Sequence, residues 1–120
     1  GLKKTILGVD LIKDEKLIAS DVNEKAILDH IKNKKSVKII VSPIGAQGFV
    51  FGRGNQQISS QVIRKVGKDN IIIIATPQKL ENTPFLLVDT GDEELDAELS
   101  GKTLVVCAYR MAQRKDIRKD

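Results

Sequence analysis

The sequence predicts one domain of the α/β to α+β class, a mixed β-sheet with helices in the order β-β-α-β-α-β-β-α-β. Three observations carry that expectation. At 120 residues the chain is long enough for one core of its own. Short runs rich in Ile, Val and Leu alternate with charged segments whose apolar residues recur at helical spacing. The isoleucine run at 71–74 has no polar alternation, which predicts a strand buried on both faces, as in a parallel sheet.

The elements follow in order. "KTILGVDLI" and "KLIAS", separated by "KDE", read as a hairpin over residues 4–21. "DVNEKAILDHIKNK" places Ala26, Ile27, Leu28 and Ile31 on a narrow stripe and predicts a surface helix over 23–33, with Asp21 and Glu24 in capping-box spacing. "SVKIIVS" predicts a strand over 37–42. "ISSQVIRKVG" carries helix signals at both ends, with Ser59 as cap, Ile58 and Ile63 at staple positions and Gly67 as stop. The strand over 70–76 follows. Strand, loop, helix, strand over 37–76 predicts that those two strands run parallel. "QKLEN" after Pro77 is a turn or short helix, and "FLLVD" a strand over 85–89. "TGDEELDAELSG", with Thr90 and Glu93 in capping-box spacing, predicts a helix over 91–99. The last strand is expected from 102 to about 111, and residues 111–120 as a charged tail that extends or frays.

Composition narrows the function. The net charge is +4, compatible with a phosphorylated ligand. A single-stranded nucleic acid platform stacks bases on aromatics, and here there are only Phe49, Phe51, Phe85 and Tyr109. Nucleic acid is therefore not an expected partner. Cys107, the only cysteine, excludes an internal disulfide and a cysteine-rich zinc site and reads as a small buried residue. His30, the only histidine, lies in a charged helix far along the chain from any nucleophile. No apolar run is long enough for a membrane helix, and no signal peptide is visible. A cytoplasmic, reduced setting is expected. The chain opens at Gly1, directly into a strand-forming run, and is read as beginning inside a longer protein.

One stretch stands apart. "VSPIGAQGFVFGRGNQQ" sets Gly45, Gly48, Gly52 and Gly54 between an apolar strand and a helix. It matches neither a Walker loop nor a dinucleotide fingerprint. Glycines let the backbone approach a partner and turn N–H groups toward an anion. The helix start at Ser59 and Ser60 favours negative charge. Arg53 offers a fork for phosphate or carboxylate, and Asn55, Gln56 and Gln57 offer paired donors and acceptors. The same glycines could serve only to shape a tight turn; both readings stand on the residues alone. Four glycines in ten residues exceed what a simple crossover requires. A second cluster, Asp89, Asp92, Glu93 and Asp96, divides. The last three read as exposed first-turn helix residues, while Asp89, at a strand end, either faces a crevice or does not. Asp10 lies within the first hairpin's apolar run, inward and paired or on the exposed face.

"SPIGAQGFVFGRGNQQIS" closely resembles the signature S-P-I-G-G-Q-G-x-x-x-G-R-G-N-Q-Q of the ATP- or polyphosphate-dependent NAD kinases of archaea and bacteria, a group that includes acetoin-catabolism protein X. "TILGVD", "DNIIIIATPQKL" and "LLVDTGDEELDAELSG" resemble further family stretches in the same order, so the likeness covers roughly residues 5–110. It implies a C-terminal domain of an NAD-kinase-like fold, the substrate side of a longer protein. The family's G-G-D-G-T motif, tied to phosphoryl transfer, is absent from this chain, so the resemblance assigns it no catalytic and no metal-ligating residue and implies that it is inactive alone. "SPIGAQGF" is similar in position to the T-P-T-G-S-T-A-Y loop of the NAD kinases proper. That similarity marks Ser42, Pro43, Gly45 and Gln47 as substrate-binding. The closer family adds Gly48, Arg53, Gly54, Asn55 and Gln56, and the strand end adds Asp89.

The implied substrate is NAD, with ATP or polyphosphate and magnesium acting in the full-length protein and nothing tightly bound to this chain. The implied partners are a dinucleotide ligand, the N-terminal nucleotide-binding domain of the same protein and a homo-oligomer, without a membrane. The alternative is a non-catalytic nucleotide-sensing or regulatory domain of the acetoin-catabolism protein X type. Ala46 departs from the family's glycine, and its methyl group is expected to block a positive φ or crowd a ligand. Asn23-Glu24 is similar to an Asn-Glu pair of the NAD kinases but follows the hairpin here, and is read as helix capping.

Overall fold

Alternating inward and outward side chains on short strands build most of this molecule. A computed structural model describes residues 9–34, 36–52 and 57–120. The element order is β1 (Leu11–Lys13), β2 (Lys16–Ala19), α1 (Glu24–Ile31), β3 (Ile39–Val41), β4 (Phe49–Gly52), α2 (Ser60–Val66), β5 (Ile71–Ile74), α3 (Pro77–Glu81), β6 (Leu86–Asp89), α4 (Glu93–Leu99), β7 (Gly101–Ala108) and β8 (Met111–Lys119). A short 3-10 turn over Lys68–Asn70 precedes β5.

β1 and β2 form the expected hairpin, closed by Asp14 and Glu15, both at positive φ as a two-residue hairpin turn requires. The part of that expectation falling on residues 4–8 lies outside the described residues. The other six strands form one sheet in the order β3-β5-β7-β8-β6-β4. β3, β5 and β7 run parallel, and so do β8, β6 and β4. The two triplets meet at the antiparallel pair β7–β8. The strands predicted to run parallel are β3 and β5, and they pair directly, with Ile40 opposite Ile72.

Two strands depart from the sequence reading. β4 falls inside the glycine stretch. A bulge sets Phe49 opposite Leu87 and Phe51 opposite Val88, so Val50 is an extra residue. The bulge lets three consecutive side chains, Phe49, Val50 and Phe51, all be buried. Periodicity cannot register such a strand. β8 takes up residues 111–119, which composition marks as a fraying tail. It is instead a central strand, antiparallel to β7 and parallel to β6. Ile117 anchors it in the core. Its cations find other uses: Lys115 Nζ donates to the Thr83 carbonyl at 2.7 Å, and the Arg118 guanidinium lies 4.1 Å above the Phe85 ring.

The edge strands β3 and β4 are joined by residues 42–48. Within that connection Ile44 forms an antiparallel bridge to Phe49, with paired hydrogen bonds of 2.8 and 3.0 Å. The bridge draws the two edges of the sheet together, and the glycine loop is the seam. Beneath it one core combines the inner sheet face, with Val41, Ile73, Val105, Val88 and Phe51, and the helices through Ile27, Val62, Ile63, Leu80 and Leu95.

The caps are partly as predicted. Ser59 Oγ accepts from Val62 N–H at 3.3 Å, and Gly67 ends α2 at φ 91°. For α1 the cap is Asn23, whose Oδ1 accepts from Ala26 N–H at 2.9 Å, and not Asp21. For α4 it is Asp92, not Thr90. Asn and Asp can bond N–H groups of the first turn directly, and in both helices the residue adjacent to the first turn does so. "QKLEN" resolves as a short helix, opened by Pro77 at its first position and capped by Thr76.

Burial of the isoleucine run on both faces is not found. Ile73 is buried, but Ile72 is half-buried and Ile74 is 41% exposed. Among the described residues, only one face of the β3-β5-β7 triplet is covered. Cys107 is half-buried and donates weakly to the Met111 carbonyl at 3.7 Å.

Candidate functional site

The seam loop is a tight reversal. Gly48 N–H donates to Gly45 O at 3.3 Å inside the Ile44–Phe49 bridge, with Gly45 at φ 71° and Gly48 at φ 76°. Gly48 is buried against neighbouring structure. A Cβ there would stand 2.5 Å from Thr83 Cγ2, and the Gly48 carbonyl accepts from Leu87 N–H at 3.0 Å. Gly45, Ala46 and Gln47 are exposed. The N–H groups of Ala46 and Gln47 have no acceptor among the described residues. Ala46 is not among the residues at positive φ, so its methyl group blocks no such conformation. The positive-φ part of that expectation is overturned: the left-handed turns fall on Gly45 and Gly48.

A cation completes the loop. Lys79, on α3, donates its ammonium to the Gly45 carbonyl. Short α3 follows β5 directly, so the stretch "ATPQKL" delivers Lys79 to the seam. Lys115 of β8 supports the same region by holding the Thr83 carbonyl under Gly48. Sequence reasoning missed both lysines, because the contacts span 34 and 32 residues. An exposed loop of N–H groups beside an ammonium can hold an anionic or strongly polar ligand group.

The predicted site residues therefore divide. Ser42, Pro43, Gly45, Gln47 and Gly48 share the seam. Arg53, Gly54, Asn55 and Gln56 lie outside the described residues. Asp89 is not at the seam: it pairs with Gly52 at the far end of β4, roughly 13 Å from Gly48 at strand rise. Gln57, where the signature leads into α2, has a buried Oε1 with no hydrogen-bond partner among the described residues, an acceptor that costs free energy until a donor reaches it. An open cleft of about 410 Å³ also sits at the far end, where β5 and β7 begin, with Lys68, Glu98 and Thr103 around Phe51 and Ile117.

The carboxylate cluster is structural. Asp96 is 7% exposed, not solvent-facing as its helix position suggests, and its Oδ1 accepts from Thr90 Oγ–H at 2.6 Å and Thr90 N–H at 3.0 Å. Asp92 caps α4 through Leu95 N–H at 3.1 Å and pairs with Arg64 on α2 at 2.9 Å. The Leu95 N–H and then the Arg64 guanidinium hold the Asp92 carboxyl below the ordinary aspartate range. A depressed folded-state pKa gives stability that is present above the unfolded value, about 3.9, and lost as pH falls through the folded value. The thermal midpoint should therefore drop as pH falls from about 5 to 3, and less so in Asp92→Asn, which can still cap. Parallel decline of the two proteins would contradict this. Among the described residues no group of three or more His, Cys, Asp or Glu side chains could hold a metal ion, and no helix is long and apolar enough to cross a membrane.

Comparison with known proteins agrees with the architecture. The family model described as the ATP-NAD kinase C-terminal domain matches residues 1–114. No curated protein and no solved structure matches. A mixed sheet with helices, a glycine seam between its edge strands and a family match over nearly the whole chain lead to one statement: the chain belongs to the ATP-NAD kinase C-terminal domain family.

Proposed function

We propose that this chain is the acceptor-side domain of an NAD kinase, holding the dinucleotide at residues 42–48. Phosphoryl transfer from ATP or polyphosphate, with magnesium, would be completed by an N-terminal nucleotide-binding domain of the same protein. The observation that carries this reading is the seam itself, with the N–H groups of Ala46 and Gln47, which have no acceptor among the described residues, and the Lys79 ammonium at the Gly45 carbonyl. Phosphoryl transfer depends mainly on positioning and electrostatics, and a rigid loop beside a cation contributes both. Two fixed points keep the loop in place: the Ile44–Phe49 bridge and the packing of Gly48 on Thr83. A ligand meets a loop already formed, so less ordering entropy opposes binding. No metal contact is assigned to this chain.

The test is a calorimetric titration of the chain with NAD. Lys79→Ala should weaken binding about tenfold, the size of one charge-assisted contact. With ATP or polyphosphate and magnesium, the chain alone should form no NADP. Equal affinity in the variant, or NADP formation by the chain alone, would contradict the proposal.

A further inference from the structure

Of the chain's few aromatic side chains, one stands open to solvent. Phe49 and Phe51 are core residues, Phe85 lies beneath Arg118, and Tyr109 is 86% exposed. Tyr109 and Arg110 make the turn between β7 and β8, with Ala108 opposite Met111. Arg110 holds φ 56°, a left-handed value that such turns ordinarily leave to Gly or Asn. Its guanidinium lies 5.2 Å from the centre of the Tyr109 ring. Register puts this turn at the seam end of the sheet. β7 runs parallel to β5, Val106 is opposite Ile74, and Ala75 N–H donates to the Val106 carbonyl at 3.0 Å. Tyr109 lies three residues further on, roughly 10 Å at strand rise. That is the level at which β5 gives way to α3, the helix that brings Lys79 to the Gly45 carbonyl.

We infer that Tyr109 stacks on the adenine ring of the dinucleotide held at the seam. The inference rests on the seam reading and adds a second anchor to it. An exposed phenol ring is a stacking platform for a nucleobase, and one such ring suits one base rather than a strand of them. Arg110 decides which end of the dinucleotide it receives. An oxidised nicotinamide ring carries a positive charge and is repelled by the guanidinium beside the tyrosine, whereas adenine is neutral. With its base on Tyr109, the nucleotide's phosphate falls to the Lys79 ammonium. The left-handed Arg110 then has a use, since it holds the cation against the ring at some cost in backbone strain.

The test is an NMR titration of the chain with adenosine monophosphate and, separately, with oxidised nicotinamide mononucleotide. Each carries one phosphate, so the two differ in the ring. Tyr109 is the only tyrosine, and its ring protons therefore give one readable signal. That signal should move with adenosine monophosphate, and the adenine H2 and H8 protons should move upfield, as in a stack. Tyr109→Ala should weaken adenosine monophosphate about tenfold, Tyr109→Phe should preserve its binding, and nicotinamide mononucleotide should bind both variants as it binds the wild type. The side chain is exposed, so neither change touches the core. Lys79→Ala should weaken both mononucleotides, which separates the two readings. Loss in Lys79→Ala with none in Tyr109→Ala overturns the inference and leaves the seam standing. Loss in Tyr109→Ala with none in Lys79→Ala upholds the stack and overturns the seam. Equal loss of both mononucleotides in Tyr109→Ala overturns the inference, and so does an absence of adenosine monophosphate binding up to about 10 mM, a range that captures millimolar ligands.

Discussion

Replacing Gly52 by alanine should lower the unfolding free energy by about 3–5 kcal/mol. Two costs combine. Gly52 sits at φ 93°, where a side chain is strained. Its Cβ would also stand 1.9 Å from the Asp89 carbonyl oxygen and 2.5 Å from the carbonyl carbon. Those atoms belong to the backbone of the paired strand β6 and cannot rotate away. Relief requires the end of β4 to leave the sheet, and β4 carries Val50 and Phe51 into the core. Urea unfolding would show the loss as a lower midpoint. An unchanged midpoint would mean that the close approach of β4 to β6 is not as described.

Gly48→Ala should cost about 2–4 kcal/mol. Its Cβ would lie 2.5 Å from Thr83 Cγ2 and 3.5 Å from Leu86 Cδ2, and Thr83 is 2% exposed with little room to move. Gly45 provides the control. It too has positive φ, but a Cβ there meets nothing within 4 Å, so Gly45→Ala should cost only about 1–2 kcal/mol. The difference separates packing from backbone strain. Similar losses at both positions would remove the Thr83 contact from the account. Gly48→Ala should also weaken NAD binding, since moving Gly48 shifts the whole turn, and calorimetry on the still-folded fraction reads that effect.

The helices, the parallel β3–β5 pair and the glycine loop were legible in the sequence because each has a local cause: a cap, an unbroken apolar run, or glycine spacing. Ser59 and Gly67 bracket α2 as read. β4 was not legible, because a bulge buries Phe49, Val50 and Phe51 in succession and so erases the alternation that marks a strand. β8 was hidden by its charges, which are accommodated by a carbonyl at Thr83 and a ring at Phe85, contacts no local pattern encodes. The same limit applies to the site. The sequence resolved which loop to examine, but Lys79 reaches it only through the fold. Asp96 looked solvated and is buried, because Thr90 turns back to satisfy its carboxylate. Asp89, read from its strand end, lies opposite Gly52, at the end of β4 away from the seam. The isoleucine run has no polar alternation, yet among the described residues only its Ile73 face is covered.

The most direct measurement is an amide-resolved NMR titration of the chain with NAD. The account predicts concentration-dependent shifts at Ala46, Gln47, Gly48 and Lys79, reduced in Lys79→Ala. Shifts confined to Lys68, Glu98 and Thr103 around the far cleft, or no shift at the seam at saturating NAD, would contradict it.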